Sequence, residues 1–140
     1  MSLVSVPVSI GELIDKITIL EIKAARIREP AKLEHITREL DLLTNTWLTS
    51  GQASAGIGVQ REALKTVNET LWDIEDQIRL KEASGEFDDS FIELARAIYI
   101  NNDRRAALKR EINQLLGSEI VEEKSYPEYA RETPGVSGAP

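Results

Sequence analysis

The clearest chemical signal in this chain is a set of polar residues placed where a helix should be apolar. Phe91, Leu94, Ile98, Asn101, Arg105, Leu108, Ile112 and Leu115 recur at alternating spacings of three and four, the period of an a/d heptad seam. Asn101 and Arg105 hold consecutive seam positions. Asn102 and Lys109 flank the same face, three residues before Arg105 and four after it. A guanidinium taken out of water without a partner costs several kcal/mol, so Arg105 must meet a carboxylate, water or a ligand. Glu12, Asp15 and Glu75 are the carboxylates expected at the edges of the facing seams. Two readings follow. In the first, Arg105 is the fork of an anion pocket, Asn101 or Asn102 orients the ligand, and Lys109 adds charge from the next turn. In the second, the polar layer fixes helix register, and Arg105 closes in a salt bridge. The closed salt bridge is the expected outcome, with Asn101, Asn102, Arg105 and Lys109 kept as the ligand-binding hypothesis.

Other chemistry is thinly represented. There is no cysteine and a single histidine, His35, which removes disulfides, thiolate zinc sites, cysteine nucleophiles and histidine-rich metal sites. Gly51, Gly56 and Gly58 are not followed by Gly-Lys-Ser/Thr, so they make no phosphate loop. No nucleophile–base pair is evident. No catalytic residue, metal or cofactor is therefore expected. The net charge of −7 repels nucleic-acid backbones unless a local basic patch overrides it. The one such cluster, Arg104, Arg105, Lys109 and Arg110, is diluted by Asp103 and Glu111, so no nucleic-acid partner is expected.

The elements that must position these side chains can be read from periodicity and caps. A chain of 140 residues is one domain by size. With aromatics at 5%, its core must be built from Ile, Leu, Val and Ala. The expected fold is all-α: an antiparallel helical bundle, or long coiled-coil hairpins, of about four helices. Ser9 and Glu12 form a capping-box pattern ahead of Ile10, Leu13, Ile17, Leu20, Ala24 and Ile27. Pro30 opens a second helix with Leu33, Ile36, Leu40, Leu43 and Trp47 on its seam. The step of six from Ile27 to Leu33 breaks register and predicts a tight turn, with one kinked helix as the alternative. Residues 51–58 predict a mobile linker. A third helix follows from about Val59 to Ser84, with Leu64, Val67, Leu71, Ile74 and Ile78 on its seam and Gly85 as C-cap. Asp88, Asp89 or Ser90 caps the fourth, Ser90 and Glu93 offering a second capping box. Gly117 ends it. Residues 119–129 read equally as an ordered arm or a tail. Residues 1–129 form the expected domain and 130–140 a disordered tail.

Partners and location follow from the same patterns. Ile19 and Ile22 lie opposite the main seam of the first helix, which a helix with a wet back face would not carry. That helix is either central or covered by a second subunit. A homodimer is expected, with another protein as the further possibility. Trp47 and Trp72 read as core or interface filling, and His35 as solvated. Met1–Val8 lacks a signal-peptide pattern, and no apolar run reaches about 18 residues. The expectation is a cytoplasmic protein without membrane contact.

Two stretches carry a resemblance. Val8-Ser9-Ile10-Gly11-Glu12-Leu13-Ile14-Asp15-Lys16-Ile17-Thr18-Ile19-Leu20-Glu21-Ile22-Lys23 resembles the opening of an uncharacterised bacterial family of small helical proteins. So does Asn102-Asp103-Arg104-Arg105-Ala106-Ala107-Leu108-Lys109-Arg110-Glu111-Ile112-Asn113, together with Glu122-Glu123-Lys124-Ser125-Tyr126. The resemblance covers most of residues 5–129 and supplies no catalytic residues. Leu13-Ile14-Asp15 with Ile17, Leu20 and Arg26 is also similar to a pattern in the all-helical chorismate mutases, intertwined dimers that grip a dianion with arginine and lysine. The basic residues that those enzymes carry along one face are not matched here. The expected function is a non-enzymatic protein-binding or scaffolding module. The alternative is a small-anion binder or cofactor-independent enzyme around Arg105.

Overall fold

A computed structural model describes residues 2–53 and 56–130. It holds four helices: α1 (Ile10–Arg26), α2 (Pro30–Thr49), α3 (Gly58–Ala83) and α4 (Asp89–Leu116), with no strand among the described residues. The fold class is therefore all-α. Each start has a local cause. Ser9 Oγ accepts the N–H of Glu12 at 3.1 Å, satisfying one of the free donors of the first turn. The other half of that capping box does not form, because the Glu12 carboxylate is drawn to Lys109 instead. Pro30 occupies the first turn of α2, where its missing N–H costs nothing. Asp88, rather than a Ser90–Glu93 box, caps α4, its Oδ1 accepting the N–H of Phe91 at 2.9 Å. Gly117 closes α4 in the left-handed region at φ 60°, and Ser118 N–H reaches back to the Asn113 carbonyl at 2.8 Å.

α1 and α2 form a hairpin across Ile27–Glu29, not one kinked helix. Ile14 and Ile17 near the start of α1 share a core cluster with Trp47 at the end of α2, which requires the two to run antiparallel. α3 and α4 are antiparallel too. Gln60 near the start of α3 bonds Glu111 near the end of α4 at 3.2 Å, and Lys81 at the other end meets Asp88. α1 is the central element, packing on α2, α3 and α4. This explains its two-sided apolar pattern from within one chain, since Ile22 is buried without any second copy. The core joins Ile14, Ile17, Trp47, Ile57, Leu64 and Ile112.

The glycine-rich stretch ends on a buried side chain, Ile57, which packs into the core; residues 54 and 55 lie outside the described residues. One expectation fails locally. The seam of α4 does not hold to its end. Leu115 is 55% exposed while Leu116 packs on the core. A straight α-helix drifts about 20° per heptad, and over the length of α4 that drift hands the seam to the next residue. His35 is exposed, as expected. The tail expected from residue 130 falls, after Ala130, outside the described residues. No described helix is long and apolar enough to cross a membrane.

Candidate functional site

The start of α1 lies antiparallel against the end of α4, and their facing stripes make a ladder of polar rungs. On α4 the stripe is Asn101, Arg105, Lys109 and Asn113, each one turn beyond the last. On α1 it is Gly11, Glu12 and Asp15. Gly11 N–H donates to Asn113 Oδ1 at 2.6 Å. Lys109 Nζ donates to Glu12 Oε2 at 2.6 Å. Arg105 grips Asp15 with both arms of its fork, Nε to Oδ1 at 2.9 Å and Nη2 to Oδ2. Ile10 N–H finds Ser118 Oγ at 3.1 Å. The first donors of α1 are thus all taken by protein groups.

Asp15 is completely buried, so its charge survives only if its acceptors are filled. Asn68 Nδ2 on α3 supplies a further donor to Oδ1 at 2.9 Å and also reaches Thr18 Oγ1 at 3.0 Å. Thr18 in turn donates to the Asp15 carbonyl at 2.8 Å. The bidentate Asp15 contact holds the Arg105 guanidinium above its ordinary pKa. Lys109 is almost wholly buried. Burial alone pulls its ammonium down, and the hydrogen bonds to Glu12 and Glu122 outweigh that, so the net shift is upward. The two carboxylates thus favour the charged form of Lys109.

Of the four residues singled out from sequence, the structure joins Arg105 and Lys109 in one ionic layer. Asn101 turns back on its own helix, its Nδ2 donating to the Ala97 carbonyl at 2.8 Å. Asn102 points outward, half-buried, onto two surface grooves. One groove, about 520 Å³, opens beside Arg105 between α1, α3 and α4. Its apolar lining is Ile19, Ile22, Leu71 and Trp72, and its polar lining includes Asn68, Glu75, Asp76 and Arg79. Arg79 is paired with Glu75 at 3.1 Å, Arg105 is paired with Asp15, and Asp76 adds a further negative charge. The groove and the ion pairs at its edge thus bring together two cations and three carboxylates. Among the described residues, no group of three or more His, Cys, Asp or Glu could hold a metal ion.

The segment after α4 is an extended arm, not a loose tail. Glu122 reaches Lys109 at 3.1 Å, Glu123 pairs with Arg110 at 3.0 Å, and the Tyr129 ring packs 4.9 Å from that of Tyr99. The neighbouring Asp103 carboxylate raises the pKa of the Tyr129 phenol. A groove of about 650 Å³ runs between arm and α4.

The Lys109 shift has a pH consequence. Its folded pKa lies above the unfolded 10.5, so its stabilising contribution is whole below that value and is lost as pH rises through the folded pKa. The wild type should lose stability in this alkaline range more steeply than Lys109→Arg, whose guanidinium keeps its charge. Urea midpoints of the two proteins measured at pH 9 and above about pH 11 check this. Parallel midpoints would show that the layer does not feel Lys109 titrate.

Sequence reasoning missed Gly11, Thr18, Asn68 and Asn113, and named Asp15 without foreseeing its burial. Asn68 carried a readable signal, four residues after Leu64 and three before Leu71. Asn113 carried one too, as the next step of the Arg105–Lys109 stripe.

Fold and site together define a four-helix protein with an ionic layer at the centre of its α1–α4 contact. The chain belongs to a family of unknown function, DUF6165, whose model matches residues 4–138. This agrees with its resemblance to an uncharacterised family. No curated protein and no solved structure matches the chain.

Proposed function

We propose that this is a bacterial, cytoplasmic, non-enzymatic module that binds protein through the projecting end of its α3–α4 hairpin. The supporting observation is a mismatch of helix lengths. α1 has 17 residues, against 26 in α3 and 28 in α4. Its end is marked by the Arg26–Asp73 ion pair at 2.6 Å. Beyond Asp73, α3 continues through 74–83, about 15 Å at the helical rise, alongside the opening turns of α4. Two helices alone cannot cover both apolar faces. Leu80 is 70%, Phe87 61% and Ile92 52% exposed, which leaves apolar side chains there for a partner to cover. The projection works as a short antiparallel coiled coil offering one open side to a partner helix.

The small-anion reading of Arg105 has the adjacent groove in its favour. Against it stand the commitment of Arg105 to Asp15 and the excess of carboxylates. A photo-cross-linking residue placed at Phe87 tests the leading reading in living cells. An adduct should form from position 87 and not from the exposed Thr66 on the body of α3. No adduct of any mass from position 87 would sink the proposal.

A further inference from the structure

We infer that the partner seated on the projection is a second copy of this chain, held by reciprocal contact between the acidic projection of each copy and the basic α1–α2 turn of the other. This rests on the reading that the projection is the binding surface. What identifies the occupant is the distribution of charge. From Asp73 to Arg96 the chain carries eight carboxylates against three cations, whereas from Lys23 to Arg38 it carries five cations against two carboxylates. Local pairing does not absorb either excess. Among the described residues Asp76, Glu82, Asp89 and Glu93 make no salt bridge on the projection, nor do Lys23 and Arg28 at the turn.

The two charged regions are neighbours in space. Arg26 at the end of α1 pairs with Asp73 and lies 5.9 Å from the centroid of the Trp72 ring, so the basic turn stands at the foot of the acidic projection. A two-fold axis there lets each projection lie over the partner's turn, and the same two surfaces meet twice. Projection packed on projection would instead set like charges together, which such an interface avoids. In the reciprocal arrangement Leu80, Phe87 and Ile92 are covered against the half-buried Ile27 and Leu33, and the rim is of opposite sign. Because the rim charges are exposed, the association weakens as salt shortens the range of their attraction.

Sedimentation of the full chain at micromolar concentration decides this, with circular dichroism confirming that every variant is folded. The wild type should sediment at twice its 15.6 kDa mass in low salt and move towards the single mass in molar salt. Asp76→Lys, Glu82→Lys and Glu93→Lys together reverse the projection, from five excess carboxylates to one excess cation, and Lys23→Glu, Arg28→Glu and Lys32→Glu together reverse the turn, from three excess cations to three excess carboxylates. Each variant alone should be a monomer. Their equimolar mixture should regain the dimer mass, because each reversed surface then meets its complement. A monomeric wild type in low salt overturns the inference, as does either variant that still dimerises or a mixture that stays monomeric. If position 87 cross-links a different protein while the wild type is monomeric, the interaction module survives and the second copy does not. A partner carrying its own basic helix would then be the occupant.

Discussion

Replacing Asp15 with alanine should lower the unfolding free energy by about 3–5 kcal/mol, the range found when one partner of a buried ion pair is removed. The carboxylate is completely buried and accepts from Arg105 twice and from Asn68 once. Its loss leaves a half-buried guanidinium facing a void, with Asn68 held only by Thr18. Domains of this kind are stable by about 5–15 kcal/mol, so the variant should be visibly less populated as folded protein at growth temperature. The pair, not the single charge, is the unit. Arg105→Leu alone should be nearly as harmful, because it strands the carboxylate. Asp15→Leu combined with Arg105→Leu should recover most of the loss, as apolar replacements of buried ion pairs do. A Leu at Asn101 should matter far less, since its amide bonds only to its own helix. Urea titration of the two single variants and the double variant measures the coupling directly. A shift below about 1 kcal/mol for Asp15→Ala, within the ordinary range of point substitutions, would show that the layer does not hold the helices.

Which parts of this arrangement could be read from sequence depends on what kind of signal each residue carries. Helix ends were legible because their causes are local. Ser9, Pro30, Asp88 and Gly117 each solve the unpaired-donor or unpaired-acceptor problem of a helix terminus within a few residues. Trp47 and Leu64 were legible because seam spacing is also local. Asp15 and Thr18 were not. Each sits one residue beyond a core isoleucine, and a polar residue there normally marks the wet edge of an amphipathic helix. They are buried because α1 is surrounded by three helices, a fact that no window of α1 contains. Ile57 was missed for the opposite reason. Its glycine-rich neighbours signal a loop, but a loop can still drive a single side chain into the core. The Arg105 partner was legible only as a set of three carboxylates. Choosing Asp15 among them requires the register between α1 and α4, and that register is set by Gly11.

Gly11→Ala should therefore destabilise the protein by about 1–3 kcal/mol, the usual range for forcing extra volume into a packed interface. Helix propensity alone argues the other way, since alanine in a helix interior is favoured over glycine by about 1 kcal/mol. Packing should win because the space is already occupied. A Cβ on Gly11 would run into the backbone carbonyl of Lys109 and come within 3.0 Å of Asn113 Oδ1. Neither neighbour can yield cheaply. The carbonyl belongs to α4, and Asn113 Oδ1 is held by the N–H of Gly11 itself at 2.6 Å. Relief requires α1 to withdraw from α4, and withdrawal lengthens the rungs above it, Glu12–Lys109 and Asp15–Arg105. Gly58→Ala is the matched control, because Gly58 lies in the first turn of α3 with no atom within 4 Å of an added Cβ. It should be neutral or stabilising by up to about 1 kcal/mol on propensity grounds. Urea midpoints for the two variants should thus move in opposite directions, or Gly11→Ala alone should fall. If Gly11→Ala gains stability as Gly58→Ala does, the close approach of α1 to α4 at this position is not what sets the register of the ionic layer.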